Sequence, residues 1–296
     1  MTPTPQIDCV VPADAQLGES PVWDGERGVL WWVDINGRAI HQYDPVAGED
    51  RSTDVPRKPA ALAVRSGGGL VVATDQGFHA FSPDDGSFDS LAPDPEPDLP
   101  SNRLNDSRCD RQGRFWAGSM HDPTSAKIAE GRLHRLDPDL SVTTFLEGLG
   151  VSNGLAFSPD GRTMYHADTW AETVWAYDYD PDEGVPRNRR VFAEFFDVAG
   201  RPDGATVDES GCYWVALVRG GQLARVNPRG ELDRLIPFPV TVPTMPAFGG
   251  ALLDTMFVTC LGAEAVSGAD ARPDIDGGLF AFDPGCRGLP EPTFAG

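Results

Sequence analysis

The chain has 296 residues and a formal net charge of −21. A surface this acidic repels the phosphate backbone of nucleic acids and anionic membrane surfaces, so neither is an expected partner. The five cysteines are widely spaced and form no CxxC pair, which argues against a disulfide framework or a zinc cluster.

The N-terminal residues have no basic segment followed by an apolar one, so they do not read as a signal peptide. No window approaches 18 consecutive apolar residues, and a membrane span is not expected. We therefore expect a soluble, cytoplasmic protein, and the sequence indicates no obligate protein partner. The first short apolar run is Ile7 to Val11.

Strand-like units then repeat with a period of roughly 40 to 50 residues, which is typical of propeller blades. Each unit has a short first run such as SPVW before Asp24, a second run that usually follows a glycine, and a third run that ends in a turn such as Asp44-Pro45. The second runs are GVLWWVD, GLVVATD, GRFWAGS, GRTMYHAD, GCYWVAL and LLDTMFVTC.

Six such units predict an all-β fold, a six-bladed β-propeller with four-stranded antiparallel blades around a central channel. We expect residues 1–296 to form this single propeller domain. Closing the ring removes exposed sheet edges, and Ile7 to Val11 would supply the outer strand of the last blade. A β-sandwich of irregular hairpins is the alternative, but it would not explain a sixfold repeat.

The repeat also aligns polar residues from different blades. Counting back five residues from the residue that opens the first turn of each blade gives a set in which four of six members carry a carboxylate or amide side chain. Because first strands line the channel of a propeller, these four are expected to converge at one mouth. The set is Glu19, Ala60, Asn105, Asn153, Asp203 and Thr244.

Two carboxylates and two amides at one point favour a hard divalent cation, which would neutralise like charges that otherwise repel. Ca²⁺ is the first candidate, and Zn²⁺, Mn²⁺, Mg²⁺ or Fe²⁺ are alternatives. The structural alternative is that each residue only caps a turn, since Asn153 and Asp203 both precede glycine. The shared register favours the metal site.

Two further residues are candidates near this mouth. Arg103 lies two residues before Asn105, so in an extended strand both face the channel, where a guanidinium could stabilise negative charge on a substrate. His121 follows a second strand and could bind substrate. A surface ion pair for Arg103 and an ordinary loop histidine for His121 are the alternatives. His166, inside a strand, is expected to be packed, and Asp34 and Asp168 to form turns.

Four motifs, LGESPVWD, SNRLNDSRCDRQGRFWAGSM, VSNGLAFSPDGRTMYHADT and RPDGATVDESGCYWVAL, together resemble the regucalcin (senescence marker protein)/gluconolactonase family of six-bladed propellers. The resemblance runs over nearly the whole chain. It implies that Glu19, Asn153 and Asp203 bind the divalent ion and that Arg103 and Asn105 bind a sugar lactone. Some members carry Glu where this chain has His121, and the His-Asp pair resembles bacterial aldonolactonases of pentose oxidation.

The resemblance implies metal-dependent hydrolysis of an aldonolactone, such as xylono-, arabino- or gluconolactone, to the aldonic acid. In our hypothesis the ion polarises the carbonyl or activates a water. Asp203 is the candidate general base, and Arg103 stabilises the oxyanion. The alternatives are a calcium-binding regulatory protein without turnover and a hydrolase of organophosphates or other esters on the same propeller.

Overall fold

The computed structural model describes residues 5–266 and 270–296, and it contains six four-stranded sheets arranged as the blades of a propeller. Each sheet is antiparallel and built from consecutive strands, except that the last blade takes its outer strand from the N-terminus. The predicted six-bladed β-propeller is therefore confirmed. None of the helices in these ranges is long and apolar enough to cross a membrane.

The first two strands of each blade are almost wholly buried, because they lie nearest the axis and pack against neighbouring blades. The first strands are Gly18–Asp24 (β2), Pro59–Val64 (β6), Asn102–Cys109 (β10), Ser152–Phe157 (β14), Arg201–Val207 (β18) and Pro243–Gly249 (β22). The second strands are Val29–Asp34 (β3), Leu70–Thr74 (β7), Phe115–His121 (β11), Thr163–Asp168 (β15), Tyr213–Val218 (β19) and Thr255–Cys260 (β23).

The outer strands become progressively more exposed and more polar. The third strands are Ala39–Asp44 (β4), Gly77–Phe81 (β8), Gly131–Leu136 (β12), Thr173–Asp180 (β16), Gln222–Val226 (β20) and Leu279–Phe282 (β24). The fourth strands are Glu49–Asp54 (β5), Phe88–Ala92 (β9), Val142–Leu149 (β13), Val185–Glu194 (β17), Leu232–Pro237 (β21) and, from the N-terminus, Asp8–Val11 (β1).

The predicted closure by the N-terminal run is confirmed, because β1 pairs antiparallel with β24, with Asp8 opposite Ala281. Large aromatic side chains on the second strands fill the space between blades, as expected from their repeat positions. Trp32, Trp116 and Trp214 are all fully buried. All five cysteines are free thiols.

The C-terminal segment crosses the end of the channel opposite the predicted site. Gly288 donates its backbone N–H to the Leu253 carbonyl in the last blade, and Phe294 donates to the Val64 carbonyl in the second blade. Between them, Glu291 forms an ion pair of 3.0 Å with the buried Arg108. This segment therefore ties non-adjacent blades together at one face of the ring.

Candidate active site

The first strand of every blade carries a β-bulge at the position that the repeat alignment selected. The pairing register shifts directly after Glu19 and Asn153, and across Asn105 and Asp203. It also shifts across Ala60 and Thr244 in the other two blades. Because bulges re-aim side chains and disrupt the ladder, they explain how these strands direct polar groups toward the axis.

The bulge also explains the glycine after Asn153. Gly154 has a φ of 61°, and a Cβ added there would lie 2.4 Å from the Tyr213 hydroxyl oxygen. Tyr213 donates that hydroxyl to the Gly154 carbonyl at 2.8 Å. The turn-like context noted in the sequence therefore belongs to the bulge that orients the side chain.

The bulged ends of the first strands open into a cavity of about 290 Å³. Five predicted residues line it together: Glu19, Arg103, Asn105, Asn153 and Asp203. The loops after the second strands complete the wall. The additional lining residues are Leu17, Ile35, Asn36, Met120, Asp122, Thr124, Val151, Thr169, Val218, Arg219, Leu261 and Ala265.

Glu19 and Asp203 place two carboxylates in a setting that disfavours ionisation. Burial, followed by the negative charges of Asp203 and Asp106, raises the pKa of Glu19 well above its ordinary value. Burial and the charge of Asp106 likewise raise the pKa of Asp203, and Arg103 opposes this only in part. Asp106 is buried itself, which raises its pKa to about 6.

Asp106 is a functional candidate that sequence reasoning missed. It follows Asn105 in the β10 bulge, and its Oδ2 accepts the Leu155 backbone N–H at 2.7 Å. Its Oδ1 is buried and has no hydrogen-bond partner among the described residues. A buried, half-satisfied carboxylate near two others creates a local demand for positive charge.

A chain of hydrogen bonds connects the arginine to the amide of the predicted metal set. Arg103 donates Nη1–H to Asn105 Oδ1 at 2.6 Å, and Asn105 donates Nδ2–H to Asn153 Oδ1 at 3.0 Å. Asn153 in turn donates Nδ2–H to Thr169 Oγ1 at 2.8 Å. These bonds fix the amide of Asn153 with its oxygen on the Asn105 side, and a second lone pair of that oxygen remains available.

Arg103 is buried at 7% exposure, so it is not the surface ion pair considered as the alternative. Its Nε lies 3.6 Å from Asp122 Oδ2, and Lys58 donates Nζ–H to the same oxygen at 2.7 Å. Burial opposes ionisation of Asp122, but the Lys58 hydrogen bond and the Arg103 charge outweigh it and lower the Asp122 pKa. Asp122 therefore stays charged and balances the guanidinium.

His121 is the one predicted site residue that does not line the cavity. It is the last residue of β11, and its Nδ1 lies 2.8 Å from Oε1 of Glu130, the residue before β12. Its neighbour Asp122 faces the cavity in its place. The role of His121 in substrate binding stays a prediction.

The other polar residues weighed in the sequence are structural. His166 is fully buried beside Ser152, with Nε2 2.8 Å from Oγ, and burial lowers its pKa to about 4. Asp34 accepts the backbone N–H of Leu17, and Asp168 accepts that of Gly150. Both aspartates shape loops, as expected.

The donor set fits a divalent cation. Within the described residues no three His, Cys, Asp or Glu side chains form a metal cluster. The predicted set instead combines the Glu19 and Asp203 carboxylates with the Asn153 amide oxygen, a set of hard oxygen donors typical of Ca²⁺ and Mg²⁺. The pKa values of both carboxylates are raised, and Oδ1 of Asp106 has no hydrogen-bond partner among the described residues. A cation bound here would supply the positive charge that stabilises these ionised carboxylates.

Comparisons with known proteins agree with this architecture. A family model described as the SMP-30/Gluconolactonase/LRE-like region matches residues 17–262. A Pseudomonas putida protein named 6-deoxy-6-sulfogluconolactonase is 36% identical, over 98% of this chain and 99% of its own length. A Haloferax volcanii pentonolactonase is also 36% identical, over 95% of this chain and 96% of its own.

A solved structure of a calcium-binding regucalcin from Agrobacterium tumefaciens superposes with a TM-score of 0.88 at 27% identity. The superposition covers 99% of this chain and 97% of that one.

Proposed function

This chain belongs to the SMP-30/Gluconolactonase/LRE-like family, and on that premise we propose that it hydrolyses a sugar lactone to the aldonic acid with one divalent cation. The observation that carries the proposal is the grouping of two buried carboxylates, an amide and a buried guanidinium in one cavity. The activities in the names of the Pseudomonas putida and Haloferax volcanii relatives support the same chemistry. The free thiols are consistent with a cytoplasmic protein.

Glu19, Asn153 and Asp203 would hold the cation. When bound, it would supply a positive charge that polarises the lactone carbonyl and makes a water more acidic. Ca²⁺ remains the first candidate, because the ligand atoms are all oxygens and the regucalcin structure from Agrobacterium tumefaciens is described as calcium-binding. Zn²⁺, Mn²⁺, Mg²⁺ and Fe²⁺ are alternatives that the add-back experiment below compares.

Asp203 is positioned to act as the general base. It lines the cavity beside Arg103 and is only 8% exposed, so its carboxylate faces the substrate space and is shielded from bulk water. The water oxygen forms a bond to the carbonyl carbon, the ring C–O ester bond breaks, and the released ring oxygen takes up a proton. The product is the open-chain aldonic acid.

Arg103 would stabilise the negative charge that develops on the carbonyl oxygen. Its guanidinium is held by Asn105 on one side and by Asp122 on the other, so it is already oriented before substrate binds. Asn105 lines the cavity and would contact a hydroxyl of the sugar as well as hold the arginine. His121 remains a predicted substrate contact in this proposal, although it does not line the cavity.

The test is to remove metal with a chelator, restore single ions and follow acid release. The substrates are xylono-, arabino-, galactono- and gluconolactone, with a phosphotriester as the comparison. We expect at least one lactone to open far faster than its spontaneous rate once an ion is restored. If no lactone opens faster than its spontaneous rate with any ion, the proposal is contradicted. Turnover of the phosphotriester alone would favour the alternative of an organophosphate hydrolase.

A calcium-binding protein without turnover is the second candidate, favoured by the description of the Agrobacterium tumefaciens structure. Ion binding alone does not require a buried guanidinium in the cavity, and Arg103 therefore favours catalysis. Binding of Ca²⁺ without any lactone hydrolysis in the same experiment would favour this candidate.

The Asp122→Asn variant should lower kcat/KM by about tenfold, because a neutral amide no longer balances the Arg103 charge and the guanidinium loses its fixed orientation. The Asp122 pKa is lowered in the folded protein, so its ionisation stabilises the fold above the ordinary Asp pKa of about 3.9. That stabilisation is lost as the pH falls through the lowered folded-state pKa. The wild type should therefore melt above the variant at pH 7, and the gap should narrow as the pH falls below about 3.9 and close only below the lowered folded-state pKa of Asp122.

The matched control is Asp98→Asn, which removes an Asp paired with Arg132 at an exposed site outside the cavity. It should leave kcat/KM within about twofold, because an exposed pair contributes little. Equal kinetic effects of the two variants would show that Asp122 does not orient Arg103.

A further inference from the structure

Arg219 is a cation at the cavity wall whose charge nothing in the described part of the chain balances. It lies in the turn between β19 and β20, with a φ of 63°, and its side chain is exposed. It lines the same cavity as Asp203 and Arg103. Among the described residues no hydrogen bond or ion pair engages its guanidinium, although the chain has 45 acidic residues and only 24 Lys and Arg.

The other charges around the cavity have partners. Arg103 and Lys58 both face Asp122, at 3.6 and 2.7 Å. Glu19 and Asp203 would be neutralised by the cation of the proposed function. Arg219 is instead a cation of the cavity wall that no carboxylate of the described residues contacts, and this unpaired guanidinium favours a negative group on the ligand.

Backbone geometry sets the separation between Arg219 and the Asp203 carboxylate along the ladder. Val218 lies opposite Arg201 in the ladder between β18 and β19, and Asp203 is two residues further along β18. Strand rise and ladder spacing put the Arg219 and Asp203 backbones on the order of 10 Å apart. The long Arg219 side chain can therefore reach the distal end of a sugar-sized ligand whose carbonyl lies at Asp203.

We propose that Arg219 binds an anionic group at the end of the substrate distant from the lactone carbonyl. The substrate class is then a sugar lactone with a second acidic group, such as a phosphate, sulfonate or carboxylate on its terminal carbon. A guanidinium donates paired N–H bonds whose spacing matches two oxygens of a carboxylate or phosphate, and a sulfonate offers oxygens in a similar arrangement. In a chain of net charge −21, an anionic substrate also requires such a local cation to offset repulsion. This inference rests on the proposed function.

The test compares wild type with Arg219→Met on gluconolactone, on 6-phosphogluconolactone and on a lactone of glucaric acid. Loss of a charge-assisted contact should lower kcat/KM for the two anionic lactones about 10- to 100-fold and leave the neutral one within about twofold. High salt should reduce the wild-type preference for the anionic lactones. The matched control is Arg201→Met, which removes an arginine from the same blade that pairs with Glu172 outside the cavity.

A binding measurement keeps the inference separate from turnover. Calorimetry should show that wild type binds 6-phosphogluconate at least about tenfold more tightly than gluconate, and that Arg219→Met removes this difference while Arg201→Met keeps it. Equal binding of the two acids by wild type, or an unchanged preference in Arg219→Met, would overturn the inference whether or not any lactone is hydrolysed. Absence of lactone hydrolysis with the binding preference intact would instead overturn the proposed function.

Discussion

The Asp203→Asn variant is expected to lose about 10²- to 10⁴-fold in kcat for lactone hydrolysis. The amide keeps the shape of the side chain, but it cannot accept a proton from water and supplies less negative charge to a cation. Asp203 is 8% exposed and faces the cavity, so bulk solvent cannot easily replace it as the base. Initial rates with the best lactone, at saturating ion, give the measurement.

The control is Asp233→Asn, an aspartate in the same blade that pairs with Arg225 outside the cavity. It should retain wild-type kcat within about twofold, because its ion pair is partly exposed. If Asp203→Asn were as active as Asp233→Asn, Asp203 would have no place in the mechanism.

A thermal measurement separates loss of chemistry from loss of fold. The preferred ion should raise the melting temperature of the wild type, because it binds only the folded site, and should raise that of Asp203→Asn much less. Without metal, the variant should melt at or above the wild type, since the substitution removes one of the carboxylates that repel each other. A metal-free variant that melts well below the wild type would show that Asp203 supports the fold instead.

Much of the lining of the candidate site could be predicted because a propeller repeats its geometry. The same sequence offset selects Glu19, Asn105, Asn153 and Asp203, and the structure shows a bulge at that offset in every blade. A repeat aligns positions within blades, so it can identify side chains that share an axis. The signal for the bulge was also present, as a small or turn-forming residue after each position.

Contacts between blades could not be predicted in the same way. Asp122 is held by Lys58, 64 residues earlier in the chain, and no sequence period links the two. Likewise, His121 pairs with Glu130, the residue before β12 on the far side of a loop, and it does not line the cavity. An adjacent pair of polar residues at a strand end leaves open which of the two faces the channel, and here it is Asp122.

Asp106 was missed for a different reason. It occupies the position after Asn105, which a regular strand would direct to the opposite face. The bulge between Leu104 and Ser107 breaks that alternation and buries both side chains near the axis. The electrostatic character of the site depends on this local irregularity, because the Asp106 charge contributes to raising the pKa of both Glu19 and Asp203.

The Phe294→Ala variant is expected to lose about 3 to 5 kcal/mol of unfolding free energy, because it removes a fully buried ring near the C-terminus. Phe294 packs against Phe115 at a ring-centroid distance of 6.4 Å and lies in the core between the second and third blades. Its backbone also accepts the Ser66 N–H and donates to the Val64 carbonyl, each at 2.8 Å. The substitution thus leaves a cavity where the C-terminal segment ties blades together.

With an unfolding entropy of about 2.1 cal/mol/K per residue, this loss corresponds to a fall in melting temperature of roughly 5 to 8 °C. The matched control is Phe196→Ala, because Phe196 is 61% exposed and its removal should cost less than about 0.5 kcal/mol. Lactone hydrolysis well below the melting temperature should be unchanged in both variants, since the segment covers the opposite end of the channel. Both variants are measured by the same calorimetric scan. If Phe294→Ala and Phe196→Ala melt within about 1 °C of each other, the C-terminal segment does not stabilise the ring.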